Sequence, residues 1–287
     1  MRRFTEFCAI DWSGAVGERH RGIAVALAGQ EGPPLLSVPE GGWSRQAVTD
    51  LLRDGLSGDT LVGLDLGISL PFADRGAFFP GWDASPPDAR ALWAMIERIS
   101  SDDPHLAAST FVDHPQASRY FRRHGGREGD MFGGGRGRFR VTEIEQAKRG
   151  CKPYSNFNLV GAAQVGKSSL TGMRMLHALR GQVPVWPVDP LPASGPVIVE
   201  IYTALAAIAA GRAASRAKMR SYDDLNDALA ALGSPPVSGS GPIDDHASDA
   251  LVTAAWLRRV ANEPALWTPR LLTPRLAATE GWTFGVP

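Results

Sequence analysis

The sequence predicts an α/β domain broken by one large insertion. Three observations predict it. Up to about Pro71 the pattern reads strand, strand, strand, helix, strand. From Gly195 onward a buried strand returns, followed by helices. The stretch between, roughly residues 72–195, turns to Gly, Pro, Arg and aromatic residues while keeping substantial apolar content. The chain has 287 residues, 44% of them hydrophobic, enough for a large core. One domain over residues 1–287, carrying that insertion, accounts for the whole pattern.

The elements follow in order. "FCAIDWSG" is a buried strand ending at Asp11 and running into a Ser-Gly turn. "RGIAVALAG" is a second strand, reached through "AVGERH" as in a hairpin. "PLLSVPEGG" holds a third, short strand. "SRQAVTDLLRDG" starts on Ser44, carries Ala47, Val48, Leu51 and Leu52, and stops at Gly55, which predicts a helix. "LVGLDLGI" is apolar without alternation and is closed by Pro71, so it predicts a strand covered on both faces. Inside the insertion, "PDARALWAMIERIS" predicts a helix. "GPVIVEIYTAL" restores a buried strand with Glu200 near its end. "SYDDLNDALAALG" is an amphipathic helix from Ser221 to Gly233, and "PPVSGSGP" is a loop. A long apolar helix carrying Asp249 comes next, and "EGWTFGVP" predicts a short final strand.

Composition narrows the function classes. Lys plus Arg equals Asp plus Glu at 30 each, so net charge alone does not indicate a strongly basic nucleic-acid binder. The two cysteines, Cys8 and Cys151, make no disulfide framework and fit a reducing cytosol. The apolar run "FCAI" is too short for a signal segment, and no stretch approaches a membrane span. A soluble, cytoplasmic protein without a membrane partner is expected.

The residues that demand chemistry are acids in apolar places. In "GPIDDHASDALVTAAWLRR", Asp244 and Asp245 suit the first turn of a helix. Asp249 does not: Val252 and Thr253 follow it at helical spacing, so no base is there to pair with it. Asp11, Asp65 and Glu200 each lie within or just past a strongly apolar strand. Any one of them alone is readily a carboxylate satisfied by a turn or a helix N-terminus. Together with Asp249 they are harder to explain separately, because strand ends in an α/β sheet lie side by side at its carboxyl edge. Converging carboxylates cannot all ionise unpaired. A divalent cation such as Mg²⁺ or Mn²⁺ resolves this, and two such ions can clamp the oxygens of a phosphodiester.

These residues also carry a resemblance. "AIDWSG", "VGLDLGISLP", "QVGKSSLTGMRMLHALR", "VIVEIYTAL", "HASDALVTA" and "EGWTFGV" resemble, in that order, the family catalogued as domain of unknown function 429. That family is regarded as predicted nucleases of RNase H-like fold. The resemblance implies an RNase H-like mixed sheet flanked by helices, with a large helical and loop insertion. It implies Asp11, Asp65, Glu200 and Asp249 as the acidic site; Asp245, next to His246, is a further candidate as metal ligand or as an aid to proton transfer. His246, in an "HxxD" arrangement similar to the C-terminal helix of resolvase-type nucleases, is implied as an assistant in proton transfer. Two positions depart from the pattern: Tyr202-Thr203 stands where Tyr-Pro is familiar, and Gly67 and Ile68 precede the "SLP" end.

Two further motifs bear on substrate. "GAAQVGKS", residues 161–168, matches the phosphate-loop pattern, but "SNFNLV" before it is too short and polar for the required strand, and Gly172 interrupts the helix after it. Lys167 and Ser168 are then candidates for lining the substrate site without binding a nucleotide. From Arg119 to Lys152 the chain is net basic with interleaved aromatics, and "FGGGRGRFR" places Arg136, Arg138 and Arg140 for a nucleic-acid backbone. The same composition suits a solvated surface loop. His105, His114 and His124 have no metal-ligand spacing with cysteine. The expectation is a metal-dependent nuclease acting on DNA or RNA. Its rivals are a nucleotide-binding phosphotransferase using residues 161–168, and a non-catalytic binding module of the same fold.

Overall fold

The computed structural model describes residues 4–160, 165–213 and 218–287. It is a mixed α/β structure built on one six-stranded sheet flanked by helices. The first part of the chain supplies β1 (Glu6–Asp11), β2 (Ala24–Ala28), β3 (Leu35–Ser37), α1 (Arg45–Asp50, prolonged by a wider turn over Leu51–Gly55) and β4 (Thr60–Asp65). The insertion holds α2 (Ala89–Ile99), α3 (Ser109–Asp113), α4 (Val141–Lys148), α5 (Val165–Ala178) and β5 (Val185–Trp186). The last part adds β6 (Val197–Glu200), α6 (Thr203–Ala209), α7 (Tyr222–Ala231), α8 (Asp245–Val260), α9 (Pro264–Trp267) and α10 (Pro274–Thr279). No described helix is long and apolar enough to cross a membrane.

The strand order is β3-β2-β1-β4-β6-β5. β1, β2 and β3 form an antiparallel meander, whereas β4 is parallel to β1, β6 to β4 and β5 to β6. The register of β1 and β4 pairs Asp11 with Asp65. Two carboxylates thus stand on neighbouring strand ends, about 5 Å apart at the backbone.

Side chains alternate between two apolar layers, which is why the strands read as continuously hydrophobic. Cys8, Ile10, Val62, Leu64 and Ile198 face a layer made with Val48, Trp93, Ile96, Leu170, Met173 and Leu176. Phe7, Ala9, Leu61, Val197 and Val199 face the other, with Leu205, Leu225, Leu251, Ala254 and Leu257. Burial pushes the Cys8 thiol up to about 12, so this cysteine is an inert core residue.

The expected helix starts hold. Ser44 and Ser221 cap α1 and α7 by accepting from Ala47 N and Asp224 N, and Asp244 caps α8 by accepting from His246 N. The insertion donates the edge strand β5 and the covering helix α5. Two expectations change. Gly172 does not interrupt that helix: a Cβ there would lie 2.4 Å from the Leu66 side chain, so the glycine lets α5 settle on the sheet. The final strand reduces to a single bridge between Thr283 and Glu200, with Phe284 N donating to Glu200 O.

Candidate functional site

The site forms where β1 and β4 end and α8 begins. Asp11, 8% exposed, closes β1 and accepts a 2.8 Å hydrogen bond from His246 Nδ1 on the first turn of α8. Asp65 ends β4 and is met by the start of α6, where Thr203 N and Thr203 Oγ1 approach its two oxygens at 3.4 and 3.3 Å. Asp249 lies one turn along α8 from His246, half-buried, and no hydrogen bond to its carboxylate is made among the described residues. Three distant parts of the chain thus bring three carboxylates together.

Their electrostatics are those of an uncompensated cluster. Burial, then the neighbouring Asp11, push the Asp249 carboxyl up to about 7. Burial, Asp11 and Asp249 hold Asp65 well above the usual carboxylate range. Burial raises Asp11 as well, and the bond from His246 opposes that rise. That bond in turn raises His246, against the burial that lowers it. Besides His246, Lys218 is felt by both Asp11 and Asp249, and it is bonded to Asp245. Each rise records the cost of placing like charges together in a partly dry setting.

Asp65 and His246 border an open cavity of about 500 Å³, walled also by Ser13, Ser168, Tyr154 and Tyr202. One wall is the turn after β1. There Arg45, 1% exposed, donates from Nε to Ser13 O at 3.0 Å, from Nη2 to Ala15 O and from Nη1 to His105 O at 2.6 Å. Gly14 within this turn lies against the start of α5: a Cβ on it would come within 2.4 Å of Ser168 N. No side chain fits there, and the contact brings Ser168 to the cavity.

Several expected site residues are committed to bonds within the fold, Glu200 and Arg140 among them although both line the same cavity. Glu200 is 2% exposed and its carboxylate is fully engaged. Oε1 accepts from Arg140 Nη2 at 2.6 Å and Thr283 Oγ1 at 2.5 Å, and Oε2 accepts from Arg140 Nη1 and Ile68 N, both at 2.8 Å. A carboxylate has about four acceptor positions, so none remains for a metal. Arg140 is equally spent: its Nε and Nη2 also reach Glu143, and its Nη1 reaches Glu280 O. It is a buried structural arginine and not a surface contact for a polyanion. Arg138 is likewise internal, bonded to Asp74 and to the carbonyls of Pro71, Ala77 and Phe78. Asp245 faces Lys218. Arg136 remains at the surface, its guanidinium over Phe139 and Tyr154.

The phosphate-loop motif falls partly on residues 161–164, outside the described residues. Its remainder, Val165–Ser168, opens α5, and residues 155–160 before it form no strand. Sequence reasoning missed Thr203, Arg45 and Lys218 as parts of the site. Thr203 stood out only as a departure from the family pattern, yet it supplies a backbone N–H that a proline lacks. Arg45 bonds to backbone carbonyls, which leave no trace in side-chain spacing.

Among the described residues, no group of three or more His, Cys, Asp or Glu side chains is already gathered around one point for an ion. The donors are nonetheless of the type a hard cation takes. The chain matches no family model, no curated protein and no solved structure.

Proposed function

We propose that this chain is a metal-dependent phosphodiesterase acting on nucleic acid, of RNase H-like architecture. The observation that carries the proposal is the convergence of Asp11, Asp65 and Asp249, from two parallel strand ends and one helix, with their carboxyls raised by burial and by one another. A stable protein has no structural use for such a cluster, and functional sites are where such shifts concentrate. The sheet order, with an antiparallel meander of three strands followed by parallel ones, supports the architecture.

Asp11, Asp65 and Asp249 are the residues that would hold Mg²⁺ or Mn²⁺. Bound there, a divalent cation supplies charge for the leaving oxygen and an activated water. The chain's own residues do the rest. His246 keeps Asp11 oriented through Nδ1 and offers Nε2 as a proton donor or acceptor near Ser13 and Gly22. Thr203 orients Asp65. Tyr154 and Tyr202 give the cavity aromatic walls suited to a base or sugar.

The test is cleavage of a panel of single-stranded, duplex and branched DNA and RNA with Mn²⁺ at low salt. Asp11→Asn is expected to abolish cutting while the protein stays folded. Wild-type protein that cuts none of the panel overturns the proposal. If it still binds a strand, the non-catalytic binding module takes its place.

A further inference from the structure

A second pocket, of about 190 Å³, lies on the other side of the turn that walls the acidic cavity. Gly14 and Ala15 line both spaces. The split continues in α5, where Ser168 lines the acidic cavity and Lys167 the second pocket. The second pocket has the opposite charge: Lys167, Arg123 and Arg127 stand against one carboxylate, Asp113. Asp113 is 73% exposed and is bonded to Arg123 Nη1 at 3.1 Å. Arg123 keeps a buried Nε with no acceptor among the described residues. Partial burial lowers Lys167.

We infer that this pocket binds a phosphate group. It is smaller than the roughly 300 Å³ at which small-molecule sites begin, so it suits a single anionic group and not a whole nucleotide. Its donors are the types that take phosphate oxygens. On the phosphodiesterase reading, on which the source of that group rests, it holds a phosphate of the strand next to the one at the carboxylates. The turn between the two pockets then sets the register of the strand. The anchoring charge comes from Lys167, Arg123 and Arg127, which line the pocket.

The test uses the full chain without divalent metal, so that binding is read apart from cleavage. Arg127→Gln, at an exposed position, and Lys167→Gln are the two variants, each with a thermal melt as its control. Binding of labelled single strands is followed by anisotropy across salt, and binding of inorganic phosphate by phosphorus NMR. Each variant is expected to weaken strand binding about tenfold, equally for all sequences, and to flatten the salt slope by about 0.7. Each is also expected to lose inorganic phosphate. Strand binding that persists unchanged in both variants overturns the pocket while leaving the nuclease proposal standing. Phosphate binding that depends on Lys167, in a protein that neither binds nor cuts strands, keeps the pocket, names free phosphate as its source and ends the nuclease proposal. Wild-type protein that binds neither probe overturns the pocket.

Discussion

Arg140 and Glu200, both almost fully buried, are bonded to each other through both terminal guanidinium nitrogens and both carboxylate oxygens, between β6, α4 and the C-terminal tail. Each had a plausible place in catalysis, one as a phosphate contact and the other as a metal ligand. Their mutual bond makes them structural. Glu200→Gln leaves a buried guanidinium short of charge and Arg140→Ala leaves buried carboxylates unpaired, so each should cost about 3–5 kcal/mol. Chemical denaturation measures this. Mn²⁺ affinity in the Glu200→Gln protein, measured while it is still folded, should match the wild type. A stable Glu200→Gln protein that has lost its metal would return Glu200 to the site.

Asp249 should behave in the opposite way. Its carboxyl, pushed up to about 7, binds a proton more tightly folded than unfolded. Between its unfolded value near 4 and about 7 the folded state therefore holds more protons, and stability falls as pH rises through that window. Asp65, raised in the same direction, adds to the fall. The metal-free protein should melt higher at pH 5 than at pH 8. Asp249→Asn should flatten that dependence and stabilise the metal-free protein at pH 8 on the order of 1–3 kcal/mol, while weakening Mn²⁺ binding. Thermal melts across pH, with and without Mn²⁺, decide. A markedly destabilised Asn variant would make Asp249 a structural residue.

His246 and Asp11 form a pair that titrates. The bond to Asp11 raises His246, so the imidazolium is favoured when folded. Its stabilising contribution is complete below the unfolded value near 6.5 and is lost as pH climbs through the raised value. NMR titration of the His246 ring should show the raised midpoint in wild type and its return toward the ordinary value in Asp11→Asn. If His246 also moves a proton, His246→Gln should slow cleavage about 10²–10⁴-fold. A ring that titrates normally in wild-type protein would remove it from the pair.

The sequence made some of this legible and hid the rest for physical reasons. Acids inside apolar strands stand out because a buried charge needs a reason, and Asp11, Asp65 and Asp249 do meet. Glu200 carries the same local signal, yet its partner Arg140 lies sixty residues away in an insertion whose path no pattern specifies. Strand alternation and caps are local, so β1, β4, α1, α7 and α8 were readable. The insertion's role was not, because β5 is only two residues long and α5 is held by tertiary contact at Gly172. Charge counting in the basic block overstates its unpaired charge for a similar reason. Arg119, Arg122, Arg123, Arg138, Arg140 and Lys148 all find carboxylates within the fold.

Arg136, Arg138 and Arg140 alternate along one short segment, and their fates separate binding from folding. Arg136 is exposed, stacked over Phe139 and Tyr154 at 5.2 and 5.9 Å, beside the cavity that Tyr154 lines. Arg138 is 8% exposed and ties the loop at Asp74 and Phe78 to the segment. Arg136→Ala removes one surface cation and loosens one aromatic wall, so it should weaken strand binding severalfold, by about 1 kcal/mol, and leave the melting temperature nearly unchanged. Arg138→Ala strips three carbonyls and the partly exposed Asp74 carboxylate of their donor and empties a buried site, so it should cost about 2–3 kcal/mol of stability. Its strand affinity, measured on the fraction still folded, should match the wild type. Denaturation and anisotropy on the same two variants therefore give opposite orders of severity. Equal loss of strand binding in both, at unchanged stability, would show that the whole segment faces the nucleic acid.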